Sequence, residues 1–286
     1  MIFTDATADL TDELMAGLPK VEVLPMNVMV EDQEFLYGPG GNITSHEFYQ
    51  MLRAGKFAST SQVTPATYIS CFEPVLQSGK DILYLCFSSG LSGTFQSAQM
   101  SAYTLAQEYP DRKIICIDTL AASVGEGFLV REAAKMQQEG LTIEELAEWV
   151  KRNRLKVCHW FTVDTFTHLK HGGRVSATAA AFGTVLNIKP LLHVDNEGKL
   201  IAMEKCRGQR KAVEAQFDRI VTGWCPEMGN RVLIGHGDAL ETAKMLKGRI
   251  MERWPTADVQ ITDIGPVIGA HTGPGVIALF YWGRNR

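Results

Sequence analysis

The first half of the chain repeats one hydrophobic arrangement: a short apolar run, a turn rich in small polar residues, then a stretch with helical spacing. "MIFTD" (1–5) leads into a helical pattern over Thr11 to Leu18, with Leu10, Leu14 and Leu18 four apart. "ILYLCF" (82–87) and "KIICID" (113–118) are apolar without polar alternation, and each precedes a helical stretch. Strands apolar on both sides and separated by helices are covered on both faces and pair in parallel, which predicts a Rossmann-like sheet. Between them "VEVLPMNVMV" (21–30) reads as a strand with an edge or a bend at Pro25. Helix starts are well marked. Thr44 with Glu47 and Thr142 with Glu145 have capping-box spacing, and Thr64 followed by Pro65 predicts a helix through Leu76 that Pro74 kinks or shortens.

After residue 158 the pattern changes. "VCHWFTVD" reads as a strand, and "KPLLHV", "DNEG" and "KLIAMEK" in succession read as a β-hairpin, which requires antiparallel pairing. Helices near Gln209 to Thr222 and Ala239 to Arg253 alternate with strands "RVLIGH", "VQITDIG" and "VIALFYW". The expectation is an α/β domain over 1–160 and an α+β domain with a mainly antiparallel sheet over 161–286. A crevice between them is the natural ligand site.

Charge and composition narrow the function. A net charge of −4 disfavours a nucleic-acid surface, and the one basic cluster, "KRNRLK" (151–156), reads as the last turn of a helix. Six cysteines at 71, 86, 116, 158, 206 and 225 include no C-x-x-C pair, so no metal is expected and a reduced, cytoplasmic protein is the simplest reading. No stretch resembles a signal peptide or has the ~20 apolar residues of a membrane span.

"SSGLSGTFQSA" (88–98) lies between a strand and a helix, where ligands of open α/β sheets bind. Unpaired N–H groups at a helix start favour an anion, Gly90 and Gly93 allow close approach, and Ser88, Ser89, Ser92 and Thr94 add hydroxyls. The stretch lacks the Lys of a phosphate-binding Walker loop, and Thr94 stands where a nucleophile elbow has glycine. A plain helix cap at Ser92 remains open. "STSQVTP" (59–65) is a second hydroxyl-rich turn before a helix. "KHGGRVSATAA" (170–180) offers Arg174 ahead of a helix capped by Ser176, and "IGPVIGAHTGPG" (264–275) offers His271; each also reads as a surface turn.

These stretches, together with "TDATADL", "IDTLAASVGEG" and "NIKPLLHVDNEGKL", resemble in order the DegV family of bacterial fatty-acid-binding proteins over nearly the whole chain. The resemblance implies a long-chain fatty acid such as palmitate held between two domains. It implies no other cofactor, and a partner fatty acid kinase, similar to dihydroxyacetone kinase, that makes the acyl phosphate. It places the carboxylate on Thr60 and Ser92, with Ser61 and the Gly93 N–H as helpers. His271 and Arg174 fall near the head group or the kinase face, and a protonated His271 would help to offset the cost of burying the carboxylate. One departure is Asp5-Ala6 where the family commonly has Asp-Ser, so a hydroxyl role does not transfer there. Two other classes stand beside this one: an esterase or acyltransferase using Ser92 with His271 or His236 and an acid such as Asp238 or Asp263, and a module whose ligand only regulates partner binding.

Overall fold

A computed structural model describes residues 1–175 and 187–286. Strand β1 (Ile2–Asp5) sits inside a four-stranded sheet with β2 (Glu22–Leu24), β6 (Ile82–Cys86) and β7 (Ile114–Asp118), in the order β2-β1-β6-β7. Every pairing is parallel. The apolar run 82–86 shows why. Ile82, Tyr84 and Cys86 face one cluster with Tyr68, Phe72 and Leu76 of α3 (Pro65–Gln77) and Leu105 of α4 (Thr94–Glu108). Leu83 and Leu85 face another, with Val130 and Ala134 of α5 (Val124–Gln138) and Leu146 and Val150 of α6 (Ile143–Asn153). Both faces are thus buried, as a parallel sheet requires.

The local signals behave as physics predicts, with exceptions. Both capping boxes form, ahead of α2 (Ser45–Arg53) and α6. Thr64 caps α3 with Pro65 in its first turn, but Pro74 does not shorten that helix, which runs on to Gln77. The helix expected over 11–18 is only one turn, α1 (Asp12–Met15). At Pro25 the chain leaves the parallel sheet. β3 (Met26–Val30) joins β4 (Gln33–Tyr37) and β5 (Ala58–Thr60) in a separate antiparallel sheet, order β4-β3-β5.

The second large sheet has six strands, β10-β9-β8-β13-β11-β12: β8 (Val157–Thr162), β9 (Ile188–Val194), β10 (Leu200–Arg207), β11 (Arg231–His236), β12 (Asp258–Asp263) and β13 (Ile277–Trp282). All pairings are antiparallel except β11 with β12. Residue 160 falls inside β8, which lies wholly in this sheet. A short α7 (Thr167–His171) follows β8. The predicted hairpin is β9 and β10, closed where Asp195 Oδ1 accepts from the Glu197 and Lys199 N–H groups. On one face lie α8 (Gly208–Gly223) and α9 (Leu240–Arg253), through Phe217, Ile220, Leu246 and Ile250. The other face packs on Val124 and Phe128 of α5. Helix α5 is therefore shared: one side covers the parallel sheet and the other covers the mixed one.

Candidate functional site

A cavity opens between the two sheets. From the first half it is lined by Thr7, Phe87, Leu91, Ser92, Ala122 and Ser123, residues that follow the carboxyl ends of β1, β6 and β7, where open α/β sheets place ligands. The second half contributes Phe161, Val194, Leu200 and Phe280 from its sheet. Helix α10 (Pro266–Thr272) adds Val267, Ile268, His271 and Thr272. The lining is mostly hydrocarbon, with its polar groups gathered on a few loops.

The expected ones sit at the end of β5 and the turn after it, on the loop before α4, on the loop after α7 and on helix α10. Thr60 ends β5, held in register by pairing with Val28 of β3. Its Oγ1 lies 2.8 Å from Nε2 of His271. Ser92 Oγ is 2.9 Å from Thr94 Oγ1 and accepts from the Thr94 N–H at 3.2 Å; the helix itself starts at Thr94 with Gly93 in the capping position. Ser61 and Arg174 also line the cavity, so five of the six expected residues meet there. Gly93 does not line it. It lies against the Gln62 side chain, whose Oε1 would be 2.3 Å from a Cβ there, so the two hydroxyl-rich turns are in contact at this point. Ser88 is spent elsewhere: its hydroxyl donates to the Gly198 carbonyl at 2.8 Å and ties the first sheet's loop to the β9–β10 turn. Ser176, expected to cap a helix, lies outside the described residues.

The electrostatics correct one expectation. Burial, helped by the Arg174 guanidinium and His171, lowers the His271 pKa from its ordinary 6.5 to about 4, so the free protein holds a neutral imidazole at pH 7 rather than a protonated one. Its Nδ1 is buried without a partner and faces Gly172, where a Cβ would come within 2.1 Å. Arg174 donates from Nε to the Leu91 carbonyl at 3.1 Å and from Nη1 to the Gly172 carbonyl, which fixes the guanidinium beside the head-group loops. The esterase geometry is not supported: Ser92 bonds Thr94, His271 bonds Thr60, and His236 lies outside this cavity, 3.4 Å from Asp263. Among the described residues no group of three or more His, Cys, Asp or Glu could hold a metal, and no helix is long and apolar enough to cross a membrane.

Three contributors escaped the sequence reading. Gln62 lines the cavity from within the turn that offered Thr60. His159, in β8, lines it with Nε2 unpartnered, and burial holds its pKa well below 6.5. Thr7 lines the cavity beside the Asp5-Ala6 departure, its hydroxyl bonded to Asp5 and Glu126. A lone histidine in an apolar strand carries no local signal. Gln62 and Thr7 were within reach, since both stand in motifs already noted.

The sequence profile described as "Uncharacterised protein, DegV family" matches residues 1–284. The chain belongs to the DegV family. A DegV domain-containing protein of Clostridium perfringens is 40% identical over 286 residues, 100% of this chain and 98% of that one. Among solved structures, a DegV family protein from Thermus thermophilus, described by its fatty acid binding, superposes with a TM-score of 0.84 at 31% identity, covering 99% of this DegV chain and 98% of that one. The Streptococcus pneumoniae fatty acid kinase B3 protein loaded with linoleic acid gives a TM-score of 0.87 at 24% identity, with 98% of each chain covered, and shares the DegV fold.

Proposed function

We propose that this chain binds a long-chain fatty acid, such as palmitate, in the cavity between its two halves, 1–160 and 161–286. Thr60 and Ser92 hold the carboxylate, and the loaded protein presents it to a kinase resembling dihydroxyacetone kinase for acyl-phosphate formation. The observation that carries the reading is a hydrocarbon-lined slot that ends in hydroxyls drawn from two touching turns. The fatty acid binding described for the Thermus thermophilus protein, 31% identical, agrees with it. Six free thiols suit a reducing, cytoplasmic setting.

Energetics divide the work between tail and head. Burial is worth ~0.8 kcal/mol per methylene, so ~14 methylenes give at most ~11 kcal/mol before the cost of immobilising the ligand. An unpaired carboxylate in the same slot costs several kcal/mol, so the head-group donors chiefly cancel that penalty and set orientation. If neutral His271 donates its Nε2–H to Thr60 Oγ1, the threonine's own proton is free for the carboxylate. The Ser92 hydroxyl, already bonded to Thr94, supplies a second donor. Arg174, with its orientation fixed by two carbonyls, marks the face toward the kinase.

Organic extraction of the natively purified protein followed by mass spectrometry tests the reading. Close to one equivalent of long-chain fatty acid is expected. An empty extract, together with failure to take up added palmitate, overturns it.

A further inference from the structure

We infer that Asp9 is a positioning residue for the head-group end of the cavity, because its buried carboxyl reaches across 256 residues of sequence to hold the amino end of the helix that carries His271. The inference rests on the fatty-acid reading and adds a residue that touches no ligand.

Helix α10 supplies Val267, Ile268, His271 and Thr272 to the cavity wall, yet it is seven residues long, begins at Pro266 and has no side-chain cap of its own. Its capping residue is Gly265, whose N–H donates to Asp9 Oδ1 at 2.9 Å. The second carboxyl oxygen, Oδ2, accepts from the Ser123 hydroxyl at 2.6 Å. One carboxyl thus joins three segments: the turn after β1, the start of α5 and the start of α10.

The arrangement is specific in two further respects. Asp9 is 4% exposed and Ser123 5%, so neither bond is exchanged for water. Both residues have positive φ, 48° at Asp9 in the left-handed region and 55° at Ser123 with ψ −147°, conformations that residues other than glycine adopt at a cost. Releasing the amino end of so short a helix would let His271, one residue from its other end, shift relative to Thr60.

The test compares Asp9→Ala with Asp9→Asn in the full chain. Two quantities are read: the imidazole nitrogen resonances of His271 in ligand-free protein, and palmitate affinity by displacement of a fluorescent fatty acid. Asp9→Ala should move the His271 resonances and weaken palmitate about tenfold. Asp9→Asn keeps an oxygen for the Gly265 N–H and should restore both, with affinity within twofold of the parent. Parent-like behaviour of the alanine variant overturns the inference, as does equal impairment of both variants. If the alanine variant does not fold, Asp9→Ser takes its place; failure of both to fold beside an intact Asn variant would assign Asp9 to stability alone and also overturn it. Should the parent bind no palmitate, the fatty-acid reading fails while the His271 resonances still decide the role of Asp9.

Discussion

Proton counting at the carboxyl end of β1 identifies a neutral acid. Thr4 Oγ1 stands 2.9 Å from the Leu85 carbonyl and 3.0 Å from Glu126 Oε1, and Thr7 Oγ1 contacts both Asp5 Oδ1 and Glu126 Oε2. Two hydroxyl protons cannot serve all four contacts, so protons must also come from the carboxyls. Burial raises the pKa of Asp5 as well, but Asp5 receives the Thr7 and Phe87 N–H groups and the Tyr84 hydroxyl, which favour its charged form. Glu126 is therefore the acid that keeps its proton, and burial with the neighbouring Asp5 charge pushes its pKa well above 4.5. A raised carboxyl pKa means the unfolded chain releases its proton first, so stability is lost as pH rises above the ordinary glutamate value. Glu126→Gln should leave stability within about 1 kcal/mol at pH 5 and become progressively favourable relative to the parent toward pH 8, measured by urea unfolding. A stability difference that does not change with pH would place the proton elsewhere. In the cavity, Thr60→Ala and Ser92→Ala should each weaken palmitate by roughly 1–3 kcal/mol, because each leaves a carboxylate oxygen short of a donor. Calorimetric titration showing unchanged affinity for both would move the head group to another place.

Elements differ in how openly the sequence announces them. Helix α6 was legible to the residue at its start because Thr142 and Glu145 satisfy each other's backbone N–H groups, a purely local bargain. Thr142→Ala should cost about 1 kcal/mol of stability by chemical denaturation with no change in palmitate affinity, since α6 lines none of the cavity. Strands β6 and β7 were equally plain, being apolar runs followed by helices. The β4-β3-β5 sheet was not: β4 has two exposed and three half-buried residues with no clear alternation, and β5 is only three residues long. Site residues follow the same rule. Thr60, Ser92 and His271 lie in turns whose composition is unusual by itself, whereas His159 and Asp9 owe their places to partners far along the chain. Asp9 meets Gly265 across 256 residues of sequence, and no local window contains both.

At the scale of the whole molecule the cavity and the core are one problem. Helix α5 covers both sheets, and beside it the walls of the slot come from both halves. A fatty acid lying there would complete the apolar layer, touching Phe87 and Leu91 on one side and Phe161, Val267 and Phe280 on the other. Because such a ligand binds the folded chain and not the unfolded one, occupancy must appear as stability: free fatty acid at 100 times its Kd adds about 2.7 kcal/mol. For a chain of 286 residues, with an unfolding entropy near 2.1 cal/mol/K per residue, that corresponds to a rise in Tm of roughly 4–5 °C. Calorimetry of protein stripped of lipid, alone and with added palmitate, should show this shift as movement of a single transition, since the slot is built from both sheets. If only one of two separate transitions moved, the ligand would be seated within one half; if neither moved, the slot would be no fatty-acid site.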